Sequence, residues 1–454
     1  MAVAENSSGA EPRHLLKILG VTFGVAVAVG EVIGSGILRS PSVIAAIVPG
    51  VGLILGLWLL GAVHASLQAN TLAELSTALP RSGGNYIYAR RGWSKVGSSW
   101  VGDVAGLVVG WTLWLAKAAG TAAASVSFAE FLPMIWQAAG AHKMAVAFAM
   151  QIALYAANIT GLREGRALQE TTSFVKALML LVFIVTAVVV VAPAEPATIL
   201  PIGPTLRWAG IIFAYQMIFG AYAGWSAPVF FAGENVAPEK AIPKALAYGI
   251  LLTCALYVGV NWALLHALGT QGTASSPLPF TLVLNRIGGP APAILFALTA
   301  MITVASCANA NIMSAPRILL ALAEDGLLPR AVATVNRGGS PTVSMMMTAV
   351  VTLALAATGA FARVFGLIGT LNMAAAMLVG SAFFLLRWRE PGLPRPFRAF
   401  FYPVLPLLVL AIDIALFFLF LANDYWGAAV TAGMILLCIP FALIARRSAR
   451  PQGL

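Results

Sequence analysis

The chain has 454 residues, 60% of them hydrophobic and only 9% charged, with a mean hydropathy of +0.90 and a formal charge of +11. Soluble domains run near 25% charged, so a soluble globular protein is excluded, and one polytopic bundle fits better than about three soluble domains. The basic residues lie in loops between hydrophobic runs, so the pI near 9.9 is no sign of a nucleic-acid partner; Cys254, Cys307 and Cys438 sit in apolar stretches with neither disulfide nor metal-ligand spacing.

The apolar run that follows the polar first residues is far longer than a signal-peptide core, so no cleaved signal is expected. Runs near 20 apolar residues fall at 16–48, 51–75, 98–135, 142–159, 166–191, 206–232, 242–268, 291–322, 342–358, 362–386, 402–421 and 425–445. They predict an all-α polytopic membrane protein of twelve transmembrane helices, with both termini on one side. With the N-terminus inside, twenty of the 27 Lys and Arg fall on the cytoplasmic side, against Lys143, Arg207, Arg286 and Arg363 outside; Arg39, Lys117 and Lys176 lie within runs. The positive-inside rule therefore places both termini in the cytoplasm, in a cell (inner) membrane. The loops are too short for a soluble catalytic or ligand-binding domain.

The first run would make a helix about 50 Å long against about 30 Å of hydrocarbon. Its middle reads Gly30-Glu31-Val32-Ile33-Gly34-Ser35-Gly36-Ile37. The glycines either pack helices closely or mark a discontinuous helix. The sixth run, five spans later, carries a second break in Phe219-Gly220-Ala221-Tyr222-Ala223-Gly224-Trp225. Matching breaks in two halves point to an inverted-repeat transporter with its substrate where the helices unwind. Freed amides of Ser35 and Gly36 would suit a carboxylate. Freed carbonyls of Val32, Ile33, Gly220 and Ala223 would suit an ammonium. Together these groups describe the head of an amino acid.

Four motifs in order carry a resemblance over nearly the whole chain. They are the triplet within 32–38; Ala73-Glu74-Leu75 with 79–88 (LPRSGGNYIY); Ala221-Tyr222-Ala223-Gly224-Trp225 with Glu234-Asn235 and 238–245; and Pro316-Arg317-Ile318-Leu319 with 323–329 (AEDGLLP). The sequence resembles the amino acid, polyamine and organocation family of permeases. That resemblance implies two inverted five-helix repeats plus two peripheral helices, with helices 1 and 6 discontinuous and a bundle that rocks against a scaffold. It implies a cytoplasmic tail over 1–15, a transport core over 16–390, and peripheral helices with a short tail over 391–454. It also carries substrate-binding groups onto Val32, Gly34, Ser35, Gly36, Gly220 and Ala223, and Ile33, Phe219 and Tyr222 beside them complete the expected substrate site.

Ionisable residues within spans are functional candidates by default. Lys176 matches a fifth-span lysine that, by the resemblance, stands in for a sodium ion and braces the first span. It predicts sodium-independent transport; the alternative is a snorkelling side chain near the cytoplasmic end. Glu31 either titrates as a coupling proton site or pairs permanently with Lys176 or Lys117, and pairing is favoured because a buried cation needs a counter-charge. Lys117 either lines the cavity or pairs with Glu31 or Glu130. Arg39 belongs to an outer vestibule or reaches the headgroups. Asp103, Asp413 and Glu74 are expected near span ends, solvated or structural, while His14, His64, His142 and His266 are scattered.

The expected function is secondary transport of amino acids, by proton symport or exchange, in the lipid bilayer. No enzyme activity, metal, cofactor or nucleic acid is expected, and the choice between monomer and homodimer stays open. The alternatives are a polyamine or organic amine transporter of the same family, or a non-transporting amino acid sensor on the same fold. A channel is disfavoured by the absence of a repeated filter loop.

Overall fold

The computed structural model describes residues 20–81, 84–96, 98–159, 166–194, 208–336 and 340–449. Arg13, Lys17, Arg163, Arg207, Arg337 and Arg450, and Ser82 and Gly83 of the loop motif, lie outside the described residues. Within them the chain is helical, apart from one isolated bridge between Val335 and Pro341. In chain order the helices are α1 (Val21–Val32), α2 (Ser35–Ile47), α3 (Val51–Ala78), α4 (Asn85–Trp93), α5 (Ser99–Phe131), α6 (Lys143–Ile159), α7 (Arg166–Val190) and α8 (Trp208–Tyr222). A 3-10 segment over Ala227–Glu234 precedes α9 (Pro238–Ala274), α10 (Pro279–Gly288), α11 (Pro290–Glu324), α12 (Thr342–Ala357) and α13 (Phe361–Arg389). The chain then runs through α14 (Val404–Asn423), α15 (Tyr425–Leu436) and α16 (Cys438–Ala449).

Among the described residues, seven helices are long and apolar enough to cross a membrane, or eight if the bent pair α1 and α2 forms one span. The runs expected at 142–159, 206–232, 342–358 and 425–445 are helical too, but α6, α8, α12 and the α15–α16 pair each fall short of that length. Two of these are shorter because the chain itself interrupts them. The sixth run leaves its helix at Tyr222 for the 3-10 segment, and the last is split at Leu437.

The faces of α7 show how the sequence sets depth and orientation. Ser173, Lys176, Leu180, Phe183 and Ala187 recur at helical spacing and are buried, whereas Phe174, Val175, Leu178, Leu181, Val182, Val185 and Val189 are exposed and apolar. An exposed surface of that kind is stable against lipid tails and costly against water. The same periodicity turns Lys176, the one charge on the inner stripe, toward the other helices.

At the centre, α5 packs most extensively on α11 and α13. Its inward stripe is made of small residues, including Ala118, Ala119, Ala122 and Ala123, all fully buried. A Cβ at Gly110 would meet the Leu322 side chain at 2.8 Å, so glycine is what lets α5 and α11 approach there.

Polar groups concentrate at the two ends of this bundle. At the end where α2 runs out and α13 begins, Arg39 binds Glu130 of α5 (Nη2 to Oε1, 2.8 Å), donates to the Pro277 carbonyl (2.9 Å) and lies 4.9 Å from the centre of the Phe361 ring. At the other end, Arg90 bridges Asp103 and Asp325 at 2.8 and 2.7 Å, and Glu390 accepts from Arg91 and Lys95. Those two cations hold the Glu390 carboxyl below the usual carboxylate range. Glu74, 2% exposed, takes Arg387, Arg395 and the Ala399 amide. Glu74 and Asp413, expected to be solvated or structural, are both buried and bonded, and the placement near a span end is corrected for Asp413. Asp413 stands mid-way along α14, is 2% exposed, and is bonded to His64 and Gln68.

Candidate substrate cavity at two helix breaks

The break between α1 and α2 is two residues wide, Ile33 and Gly34, and turns the chain by 44°. Its counterpart follows Tyr222, where Gly224 adopts a φ of +119°. The two breaks touch. A Cβ on Gly224 would lie 3.1 Å from the Glu31 carbonyl carbon and the Val32 nitrogen. Gly224 therefore answers two demands together, a left-handed backbone and contact with another main chain.

A helix end in a membrane leaves carbonyls that no water can satisfy. At the end of α1 three side chains from three other helices meet this need. Lys176 of α7 donates to the Gly30 carbonyl (3.0 Å), the Cys307 thiol of α11 to that of Glu31 (3.5 Å), and the Tyr257 hydroxyl of α9 to that of Val32 (2.7 Å). The Tyr257 hydroxyl oxygen is also 3.2 Å from the Ala221 carbonyl, so one phenol spans both breaks. The Gly220 carbonyl accepts locally from the Ala223 amide at 3.1 Å. Lys176 is 2% exposed, with its ammonium inside the bundle on the Gly30 carbonyl.

The start of α2 is different. Gly34 is its N-cap, and no side chain caps the first turn. Ser35 and Gly36 line a cavity together with Glu31, Val32, Gly34, Gly220, Ala223 and Gly224 from the breaks, Lys117 and Gly120 of α5, Asn311 of α11, and Phe365 and Asn372 of α13. Amides at a helix start carry the positive end of its dipole toward whatever fills the space.

Glu31 and Lys117 face each other across the cavity wall at 3.0 Å, each side chain 12% exposed, and the Lys117 ammonium is 5.5 Å from the centre of the Phe230 ring. Of the partners open to Glu31, the structure shows Lys117. Glu130 belongs instead to Arg39.

The cavity continues into a second. The two share Leu113, Ala223, Gly224, Ser226 and Asn372, and the second extends past Phe219 to Gln68, Asn85, Gly380 and Asp413. It thus leads toward the end that carries Glu74 and Arg387 and away from Arg39. Of the expected site residues, Val32, Gly34, Ser35, Gly36, Gly220 and Ala223 line the first cavity, and Phe219 lines the second together with Ala223. Ile33 is fully buried outside both linings, and Tyr222 is buried with its hydroxyl on the Trp58 carbonyl (3.1 Å). Sequence reasoning missed Asn311, Asn372, Phe230 and Phe365. Two asparagines in apolar runs were the available signal.

Residues 19–444 match the family profile described as amino acid permease. The chain is 33% identical to an uncharacterized transporter of Mycobacterium tuberculosis, over 76% of this chain and 75% of the relative. It is 25% identical to the serine/threonine exchanger of Bacillus subtilis, over 71% of each. It is 23% identical to the branched-chain amino acid permease of Bacillus subtilis, over 90% of this chain and 88% of that protein.

Proposed function

The chain belongs to the amino acid permease family, and from that premise we propose that it is a sodium-independent secondary transporter of neutral amino acids that works by alternating access in the plasma membrane. The observation that carries this reading is the cavity at the two breaks, where uncapped amides of α2 face a space whose two charged side chains, Glu31 and Lys117, already neutralise each other. The amides suit the substrate carboxylate. The Val32 carbonyl, which has a second lone pair beside Tyr257, and the lone pairs at Ala223 suit its ammonium. A cavity of paired charges gives a charged substrate side chain no partner, which favours neutral amino acids over polyamines. Serine and threonine, and the branched-chain amino acids, for which the two Bacillus relatives are named, are neutral as well.

The Lys176 ammonium on the Gly30 carbonyl supports sodium independence, since it supplies a fixed positive charge to the unwound end of α1. Twelve spans in two inverted five-helix repeats over 16–390, with peripheral helices beyond, and cytoplasmic termini complete the proposal. In that orientation the Arg39 cluster closes the outer end and the cavity leads inward. Counterflow tests the reading. Proteoliposomes preloaded with serine, threonine, leucine or valine should take up the labelled amino acid saturably, equally with and without sodium. Binding without counterflow would favour a sensor, sodium dependence would remove the role given to Lys176, and exchange of amines alone would favour the polyamine reading.

A further inference from the structure

A group of titratable side chains outside the substrate cavity is left without a role by the proposed function. His64 of α3 is 3% exposed and joins three helices. Its Nδ1 is 2.9 Å from the Tyr215 hydroxyl of α8, and its Nε2 is 2.7 Å from Asp413 Oδ1 of α14. Gln68, one turn along α3, donates to the same carboxylate oxygen at 2.8 Å. Apolar hydrocarbon makes each such ionisable side chain costly and marks it as functional by default.

The hydrogen bonds limit the protonation states. With a neutral imidazole, Nε2–H donates to Asp413, the Tyr215 hydroxyl donates to Nδ1, and the group carries one negative charge. Of the elements packed around it, α14 carries only Asp413 as a titratable side chain; α3 also carries Glu74, held by Arg387 and Arg395, α8 also carries Tyr222, bonded to the Trp58 carbonyl, and α9 carries Cys254 and Tyr257, the latter bonded to the Val32 carbonyl. The facing stretch of α13, from Asn372 to Gly380, contains none, and on α15 the titratable Tyr425 is exposed at the helix start. One bound proton makes the group neutral, as imidazolium against carboxylate. That proton belongs to the pair rather than to either residue. It also converts Nδ1 from acceptor to donor, so the Tyr215 hydroxyl must turn and accept.

Two contacts connect this event with the cavities. Asp413 and Gln68 line the second cavity, so the pair borders a space rather than packed side chains alone. The His64 ring stacks on Tyr215 (interplanar angle 13°) and lies 5.4 Å from the ring of Phe219, the residue before Gly220 at the second break. A change in the charge of His64 is thus felt on α8 within one residue of the substrate cavity.

We propose that the His64–Asp413 pair, with Tyr215 and Gln68, is a proton-binding site whose occupancy biases α8 and makes transport pH-dependent, separately from Glu31. This rests on the transport reading above for its consequence, but the binding of the proton does not. The first test is therefore infrared difference spectroscopy of the purified protein in lipid, stepped between about pH 5 and pH 8. Wild type and Glu31→Gln should show the same imidazole and carboxylate change, and His64→Gln and Asp413→Asn should each lose it. Tyr215→Phe should keep the change with a displaced midpoint, which guards against a variant that fails to fold. The second test is counterflow and pH-gradient-driven uptake in proteoliposomes. His64→Gln should keep counterflow within about twofold and lose at least about fivefold of the stimulation by an acidic exterior, a difference of roughly 1 kcal/mol in coupling. A wild-type spectrum without the band change, or a change that survives in both pair variants, overturns the site. Unaltered pH stimulation in His64→Gln overturns its role in coupling. A normal spectrum in a protein without any counterflow refutes the transport reading and leaves the proton site standing.

Discussion

Arg39 ties α2 to α5 through Glu130, to the segment after α9 through the Pro277 carbonyl, and to α13 through the Phe361 ring. In the proposed orientation, opening to the outside must break these contacts, so Glu130→Gln should favour the outward-open state. The variant keeps the side-chain volume and one neutral acceptor. Hydrogen bonds to charged groups contribute about 1.5–3 kcal/mol and neutral ones about 0.5–1.5. With the two side chains 9% and 18% exposed, screening by water is weak. The closed state should lose about 1–2 kcal/mol relative to the open one, a shift of roughly 5- to 30-fold in their ratio. Apparent affinity scales with the fraction of protein competent to bind. Half-saturation for exchange, measured in oriented vesicles with substrate added to one face at a time, should therefore fall on the outer face and not on the inner. Equal changes on both faces, or an unchanged outer value, would refute the assignment of this cluster as the outer closure.

Lys176→Ala leaves the Gly30 carbonyl without its donor and should abolish uptake or uncouple it, at a cost of about 1–3 kcal/mol for a buried unsatisfied group; wild-type uptake in the purified variant would contradict the bracing role. Gly36→Ala puts a Cβ 2.9 Å from the Phe365 ring and 3.1 Å from the Ala221 Cβ, so overpacking of about 1–3 kcal/mol should erase the thermal shift given by added amino acid, and an intact ligand shift would show that the cavity is not read at α2. For Glu390, Arg91 and Lys95 lower the folded-state pKa below 4.5. The stabilisation is then full above the unfolded value and is lost as pH falls through the lower folded one. Wild type should melt above Glu390→Gln at neutral pH and converge with it in acid, and a gap that persists at low pH would show that the pair contributes packing only.

The breaks were legible because glycine and depth speak to the same constraint. Gly34 and Gly36 in one run and Gly220 and Gly224 in another mark places where a helix lacks support in hydrocarbon, and the structure interrupts both. Lys176 was legible by its cost in lipid. Periodicity along α7 also fixes its direction, since the residues spaced three and four away are buried. Partner choice was not legible. Glu31 had Lys117 and Lys176 as candidates, and only the crossing of α5 past α1 decides between them. The carbonyl supports followed the same logic, because Tyr257 and Cys307 look like packing residues until the helix ends they serve are placed. His64 and Asp413 are 349 residues apart, and neither suggests the other until α3 and α14 are adjacent.

The pairing of first-span charges with α5 also constrains how the chain is made. Glu31 enters the membrane 86 residues ahead of Lys117, and Arg39 enters 91 residues ahead of Glu130. During synthesis both charges on the first span therefore wait for their counter-charges while α3 is inserted. Each carries roughly 2.5–3.5 kcal/mol of insertion cost in that interval. A nascent chain that ends before Ser99 has no partner for either, so it should be retained at the insertion machinery or degraded, whereas one extended through Phe131 has both.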